Sequence, residues 1–276
     1  MRIMISCDME GTSGVTDWEQ ITPGKAEYER GRRLMTGDVN AAVEAAISAG
    51  ADEVVVSDAH WFARNILIEE LDERVTLHSG APAPIAMLQS IDSGEPYDGL
   101  VFCGYHARAG TLNGILCHTW SDQVVGVWLN GILIGEIGLN AALAGHFRTP
   151  VIALAGDQAA CTEAQSLLGE RLATAVVKVA ISRFAARCLS LMEARQCIHS
   201  AVTTGIERLR AGQTTSPYVV SCPIQLEVEY TRPNLADRAY FVPGAHRITG
   251  TRLAFQAEDM PTAMRAFRSM TALAVE

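Results

Sequence analysis

The chain predicts an α/β fold: a mostly parallel sheet with flanking helices, followed by a smaller C-terminal α+β segment. Three observations carry this. Short apolar, largely β-branched runs recur along the first two thirds, as buried parallel strands require. Helical patterns of period 3.6 lie between them. Beyond about residue 185 the alternation gives way to one long amphipathic helix and longer strands. The expected division is therefore 1–185 and 186–276. With 276 residues, 49% of them hydrophobic, the chain is long enough for one large domain or two modest ones with a sizeable core.

The elements follow in order. Arg2 to Cys7 is a short, mostly apolar strand, and Asp8 to Gly14 is a loop. Glu27 to Ala49 carries an inward stripe of Leu34, Val39, Ala42, Val43, Ala46 and Ile47, and Gly50 stands where a helix-terminating glycine belongs. Glu53 to Ser57 is a β-branched run, which completes a strand–helix–strand unit of the right-handed kind. Val75 to Leu77 reads as a short strand, Ala83 to Ser90 as a short helix, and Gly99 to Cys103 as a third buried strand. Asn130-Gly131 between Val124–Leu129 and Ile132–Gly135 is a two-residue hairpin signal, because both residues tolerate positive φ. Ile137 to Phe147 is an alanine-rich helix, and Pro150 to Ala155 another buried strand. Asp157 caps a helix through Leu168, and Thr174 to Val179 is a further strand. The second segment opens with a helix over Ser190 to Arg210 and a polar linker over Gln213 to Pro217. Tyr218 to Tyr230 reads as a long strand with Pro223 inside it, at an edge or bulge. Thr251 to Ala257 is a strand, and Asp259 caps a terminal helix.

Charge narrows the function. Lys and Arg number 22 against 31 Asp and Glu, giving a net charge of -9. A general nucleic-acid binder needs a basic surface, so that class is disfavoured. No apolar run reaches the ~18 residues of a membrane-spanning helix. Asp8 and Glu10 fall where a signal peptide needs its apolar stretch, so a cytoplasmic protein is expected. The 7 cysteines form no CxxC pair, which fits free thiols in a reducing compartment. Gly11-Thr12-Ser13-Gly14 lacks the Gly-Lys-Ser/Thr ending of a phosphate loop, and no Gly-x-Ser-x-Gly elbow is present.

The chemistry gathers at strand ends. Asp8 and Glu10 follow the first strand, His60 the second and His106 the third. In open parallel sheets the ligand cleft lies beyond those carboxyl ends. Glu136 falls at a comparable strand-to-helix junction. Each alone has a bland reading: loop acids, a satisfied histidine, or a helix first-turn acid favoured by the dipole. Together, two imidazoles and three carboxylates suit zinc. Five ligands exceed one tetrahedral site, whereas two ions about 3.5–4 Å apart sharing one carboxylate would use all five. Cys117-His118 is a second constellation. Two readings stand for Cys117, a nucleophile or a buried thiol beside the site. In a strand, adjacent side chains point to opposite faces, which separates His118 from Cys117. Asp58 is a candidate orienter of His60, and Lys178 and Arg183 are candidates for holding a carboxylate.

Ser6-Cys7-Asp8-Met9-Glu10-Gly11 resembles the Ser-x-Asp-x-Glu-Gly signature of the D-aminopeptidase family of zinc peptidases, a group associated with dipeptide transport. Asp58-Ala59-His60, Gly104-Tyr105-His106-Ala107-Arg108 and Gly135-Glu136-Ile137-Gly138-Leu139-Asn140 resemble its other motif segments. The resemblance implies two Zn2+ per chain on Asp8, Glu10, His60, His106 and Glu136. Asp8 would be the bridge, Glu10 and His60 would hold one ion, and His106 and Glu136 the other. It also implies a nucleophile role for Cys117 and a homo-oligomer, a ring-like decamer of two stacked pentamers. The expected activity is removal of an N-terminal residue, of the D kind by the family resemblance, from short peptides or amides. Either water activated by the ions or Cys117 would attack, and His118 would serve as general acid. The rival readings are a two-metal phosphoester hydrolase, with Arg108 as the one cation near a ligand, and a metal-dependent peptide-binding module.

Overall fold

The structure is a computed structural model and describes residues 1–275. The chain runs through strand β1 (Arg2–Cys7), helix α1 (Tyr28–Ser48), and strands β2 (Glu53–Asp58), β3 (Thr76–His78) and β4 (Gly99–Tyr105). The hairpin β5 (Val124–Leu129) and β6 (Ile132–Ile134) leads into helix α2 (Glu136–His146). Then come β7 (Val151–Asp157), α3 (Gln158–Leu168), β8 (Ala173–Ser182), β9 (Ala185–Cys188) and α4 (Leu191–Arg210). The chain ends with β10 (Ile224–Tyr230), α5 (Pro233–Ala239), β11 (His246–Arg247), β12 (Arg252–Ala257) and α6 (Met260–Leu273).

Seven strands form one sheet in the order β3-β2-β1-β4-β7-β8-β9, parallel throughout except where β9 folds back on β8. Strands β4 and β7 are buried along their whole length, as the continuous apolar runs require. Alternation along β1 sends Ile3, Ile5 and Cys7 toward α1 and α4, and Met4 toward a second core. That second core joins the sheet to α2, α6 and the inner face of a five-stranded antiparallel sheet, β11-β12-β10-β5-β6. Strand β10 alternates buried and half-buried along its length, the pattern of a sheet with one packed face. The Asn130-Gly131 turn has positive φ at both residues, as the hairpin demands. Ser190, Asp157 and Asp259 each accept a backbone N–H in the first turn of α4, α3 and α6.

Four local expectations change. Residues 83–90 hold one 3₁₀ turn, Ala86–Leu88, and no longer helix. The strand expected from Tyr218 starts at Ile224; Pro223 has no N–H to give the ladder, so pairing begins after it. Strand β9 and helix α5 add elements the patterning did not show, α5 with Pro233 in its first turn. The two layers draw on residues from either side of position 185. Helix α4 packs on the parallel sheet, while β5 and β6 pair into the antiparallel one.

Candidate metal centre

Register places the site. Cys7 is level with Asp58 on β2 and with Cys103 on β4. The chain segments that follow leave the same sheet edge, carrying Asp8, His60 and His106. The loop after β1 lies directly on the end of β4: Asp8 N donates to Cys103 O at 2.8 Å and Gly11 N to Gly104 O at 2.7 Å. A Cβ on Gly11 would stand 2.0 Å from Tyr105 O, so only glycine allows this approach. Glu136 arrives from the other sheet, as the first residue of α2 just after the hairpin.

All five residues meet in one buried cluster. Asp8, Glu10 and His60 form one triad of donor atoms within 4.8 Å of one another; Asp8, His106 and Glu136 form a second. Asp8 belongs to both, as a bridging carboxylate would. His60 Nδ1 lies 3.1 Å from Asp8 Oδ1 and 3.1 Å from Glu10 Oε2. His106 Nε2 lies 3.5 Å from Asp8 Oδ2 and 3.3 Å from Glu136 Oε1. Glu10, His106 and His118 make a third triad. His118 Nε2 is 4.0 Å from Glu10 and 3.9 Å from Glu136, and its ring stacks on His106 at 4.2 Å.

The outer ring nitrogens fix the chemistry. His60 Nε2 faces Ile21 O at 3.0 Å, His106 Nδ1 faces Ala107 O at 2.9 Å, and His118 Nδ1 faces Leu116 O at 2.8 Å. A carbonyl only accepts, so each outer nitrogen carries the proton. In a neutral ring the inner nitrogen then presents a lone pair to carboxylate oxygens that also only accept. A cation between them resolves the conflict, in the usual arrangement of metal-binding imidazoles. His106 Nε2 and Glu10 Oε2 are buried and make no hydrogen bond among the described residues. The donor set of imidazole nitrogens and carboxylate oxygens fits zinc.

Electrostatics agree. Burial and the neighbouring Glu10 charge raise the Asp8 carboxyl to about 7. Burial works to neutralise His60 and His106 too, but Glu10 and Asp8 around the first, and Glu136 around the second, hold both imidazoles well above their ordinary value. Burial also opposes charge on Glu10 and Glu136, yet His60 and His106 outweigh it and keep both carboxyls low. Burial and His106 push His118 down. The clustered carboxylates therefore retain protons on their neighbours unless another positive charge replaces them.

The surroundings refine the other candidates. Cys117 stands apart from the cluster: its Sγ donates to Thr111 O at 3.5 Å, and Arg183 donates to its carbonyl at 3.2 Å. Asp58 does not touch the His60 ring. It accepts from Asn65 and Ile66, and Asn65 in turn donates to His60 O at 2.6 Å, which fixes the turn carrying His60. Arg183 meets a carboxylate, Asp122. Lys178 meets three carbonyls instead, and burial draws its pKa down to about 8. Arg108 lines a separate hollow of about 620 Å³ beside α3. The metal-type cluster opens into a cleft of about 870 Å³ walled by Trp18, Trp61, Phe62 and Trp120, with no Lys or Arg among its described lining residues. Trp61 and Trp120 hold positive φ of 53° and 68°, a backbone strain of the sort concentrated at functional sites. His118, expected as a general acid, stands in the cluster as a third imidazole, whereas Ile21, the acceptor behind His60, carries no motif of its own in the sequence.

Known proteins place the chain. The D-aminopeptidase family model matches residues 1–269. The D-aminopeptidase of Bacillus subtilis (strain 168) is 36% identical over 276 residues, covering 100% of this chain and 98% of the relative. A solved structure, described as the Zn-dependent D-aminopeptidase DppA from Bacillus subtilis, a self-compartmentalizing protease, superposes with a TM-score of 0.94 at 36% identity, over 99% of this chain and 98% of that one. On this full-length match the chain belongs to the D-aminopeptidase family and is a peptidase.

Proposed function

We propose that the chain is a dinuclear zinc aminopeptidase that removes an N-terminal residue, a D-amino acid by its family, from short peptides or amides. The observation that carries this reading is Asp8, the carboxylate common to the triad with Glu10 and His60 and the triad with His106 and Glu136. The zinc dependence stated for the superposing Bacillus subtilis structure supports the choice of metal. When bound, zinc supplies Lewis-acid polarisation of a scissile carbonyl and lowers the pKa of water toward about 7.

The chain's own residues do the rest. The acidic floor of Asp8, Glu10 and Glu136 favours a substrate bearing a free amino terminus. His118 has its Nδ1 proton committed to Leu116 O, so Nε2, facing Glu10 and Glu136, is free to take a proton and return it to the leaving amine. The Cys117 thiol is turned to Thr111 O, which favours His118 over Cys117 as the group that moves protons. The absence of Lys and Arg from the cleft's described lining residues disfavours a phosphoester substrate, whose charge needs such partners. The self-compartmentalizing description of the Bacillus subtilis structure supports a homo-oligomer for this chain as well, which the family resemblance makes a ring-like decamer.

Elemental analysis combined with a panel of D- and L-aminoacyl p-nitroanilides, with p-nitrophenyl phosphate alongside, tests the reading. Two zinc ions per chain and turnover of D-aminoacyl substrates alone are expected. Fewer than two ions, or phosphatase activity without amide cleavage, would refute it. Light scattering of the purified chain tests the decamer.

A further inference from the structure

Lys178 is the one lysine on the buried length of β8, and its side chain is entirely enclosed. Its Nζ donates to Glu10 O at 2.6 Å, Thr12 O at 2.8 Å and Val15 O at 2.6 Å. An ammonium has three N–H donors, and all three go to carbonyls of one loop. That loop links the end of β1 to the Trp18–Gln20 turn and has no strand or helix of its own between residues 8 and 17. Its shape therefore depends on such tethers. Burying an ammonium is costly unless every donor is met, so this amine is more than a space-filler.

The loop serves one half of the cluster twice over. It carries Glu10, and its continuation carries Ile21, whose carbonyl accepts from His60 Nε2. Both ligands that distinguish the first triad from the second therefore depend on where this segment sits. The second triad has separate supports. His106 is tied to Ala107 O, its own neighbour, and Glu136 accepts from Trp120 N at 2.8 Å. Neither hydrogen bond involves residues 10–21; the loop meets the strand that carries His106 through Gly11 N and Gly104 O, at a point Lys178 does not touch.

We propose that Lys178 is a positioning residue for the Glu10–His60 half of the metal centre: by gathering the carbonyls of Glu10, Thr12 and Val15 onto one ammonium, it sets the affinity of that ion and leaves the His106–Glu136 ion largely untouched. The inference rests on the dinuclear reading above. Removing a group behind a metal ligand typically weakens binding by about 10–100-fold, and here that loss falls on one ion of two.

Lys178→Met keeps the length of the side chain and deletes the donors. Wild type and variant, stripped with chelator and checked for folding by circular dichroism, are titrated with zinc against a competing chromophoric chelator, and separately with cobalt(II) followed by its visible absorption. Two binding events are expected in both proteins. In the variant one event is weakened by about 10–100-fold, the other stays within about threefold, and only one of the two cobalt spectral components is altered. A purely structural role would lower the melting temperature of the stripped chain and leave both affinities alone, and that result would overturn the proposal. So would equal weakening of both events. If Lys178→Met yields no folded chain, Lys178→Gln, which retains two N–H donors, is expected to show the same one-sided loss at smaller amplitude, and an even loss there overturns the proposal equally. A wild-type chain that binds fewer than two ions would refute the dinuclear reading itself, a failure distinct from that of Lys178.

Discussion

The two halves of the metal cluster are built by different means. Glu10 and His60 both leave the parallel sheet at adjacent strands, β1 and β2, whose register is fixed by a continuous ladder. Their half is assembled within one layer of the molecule. His106 leaves the same sheet, but its partner Glu136 opens a helix that follows a hairpin of the antiparallel sheet. That half exists only when the two sheets dock. Helix α2, buried along ten of its eleven residues, is the element through which docking sets ligand geometry. On the dinuclear reading proposed above, one ion would report the order of a loop and the other the packing of two layers, with Asp8 common to both.

The largest expected effect comes from removing what the halves share. Asp8→Asn should abolish stoichiometric binding of both ions and lower kcat/KM by about 10³-fold or more, since several kcal/mol of charge stabilisation are lost; retention of one tight ion would break the claim that Asp8 belongs to both. His118→Asn should keep two ions and lower kcat by about 10²–10⁴-fold, the usual worth of a positioned acid–base group. Cys117→Ser should leave kcat close to wild type, and the reverse ranking in steady-state kinetics would transfer the catalytic role to Cys117. Gly135→Ala sharpens the comparison further. An added Cβ would stand 2.6 Å from Arg108 Cβ, one residue before Glu136 and two beyond His106. Either the start of α2 or the backbone at Arg108 must shift, so zinc titration should show the His106–Glu136 ion weakened by about tenfold or more with the Glu10–His60 ion near wild type.

A smaller effect is pH dependence. In the zinc-stripped chain Asp8 titrates at about 7 and the two imidazoles above their ordinary value. These groups must lose their protons to bind metal. Below pH 7 binding expels a proton from Asp8, so apparent zinc affinity should rise with pH, by up to about tenfold per unit for each proton released. The Asp8 contribution should level off above about 7, while the imidazoles extend the rise. Calorimetry in buffers of different ionisation enthalpy reads the proton count, and a flat profile would show that zinc-free Asp8 is already ionised.

Much of the fold was legible because its signals are local. The apolar runs of β1, β2, β4 and β7 and the stripe of α1 depend on periods of two and 3.6 residues, and the caps at Asp157 and Asp259 depend on a side chain three residues from its donor. Strand β9 was not legible, since its four residues are mostly exposed and lack an apolar pattern. Nor was helix α5, which is only seven residues long. Of the cluster, Asp8, Glu10, His60 and His106 could be proposed because strand ends in a parallel sheet share one edge. Glu136 could be proposed only as a residue at a similar junction, because its strand belongs to the other sheet.

The amino-acid order by itself determined which segments become strands and helices, and which carboxylates and imidazoles stand at their ends. Those choices rest on interactions between residues a few positions apart. The folded arrangement alone decided that His118 faces the carboxylates while Cys117 turns away, that Glu136 crosses from one layer to reach His106, and that Lys178 holds a loop 163 to 168 residues distant in sequence. Contacts over such separations leave no periodic trace, because they are set by which surfaces bury each other and not by the geometry of neighbouring peptide units.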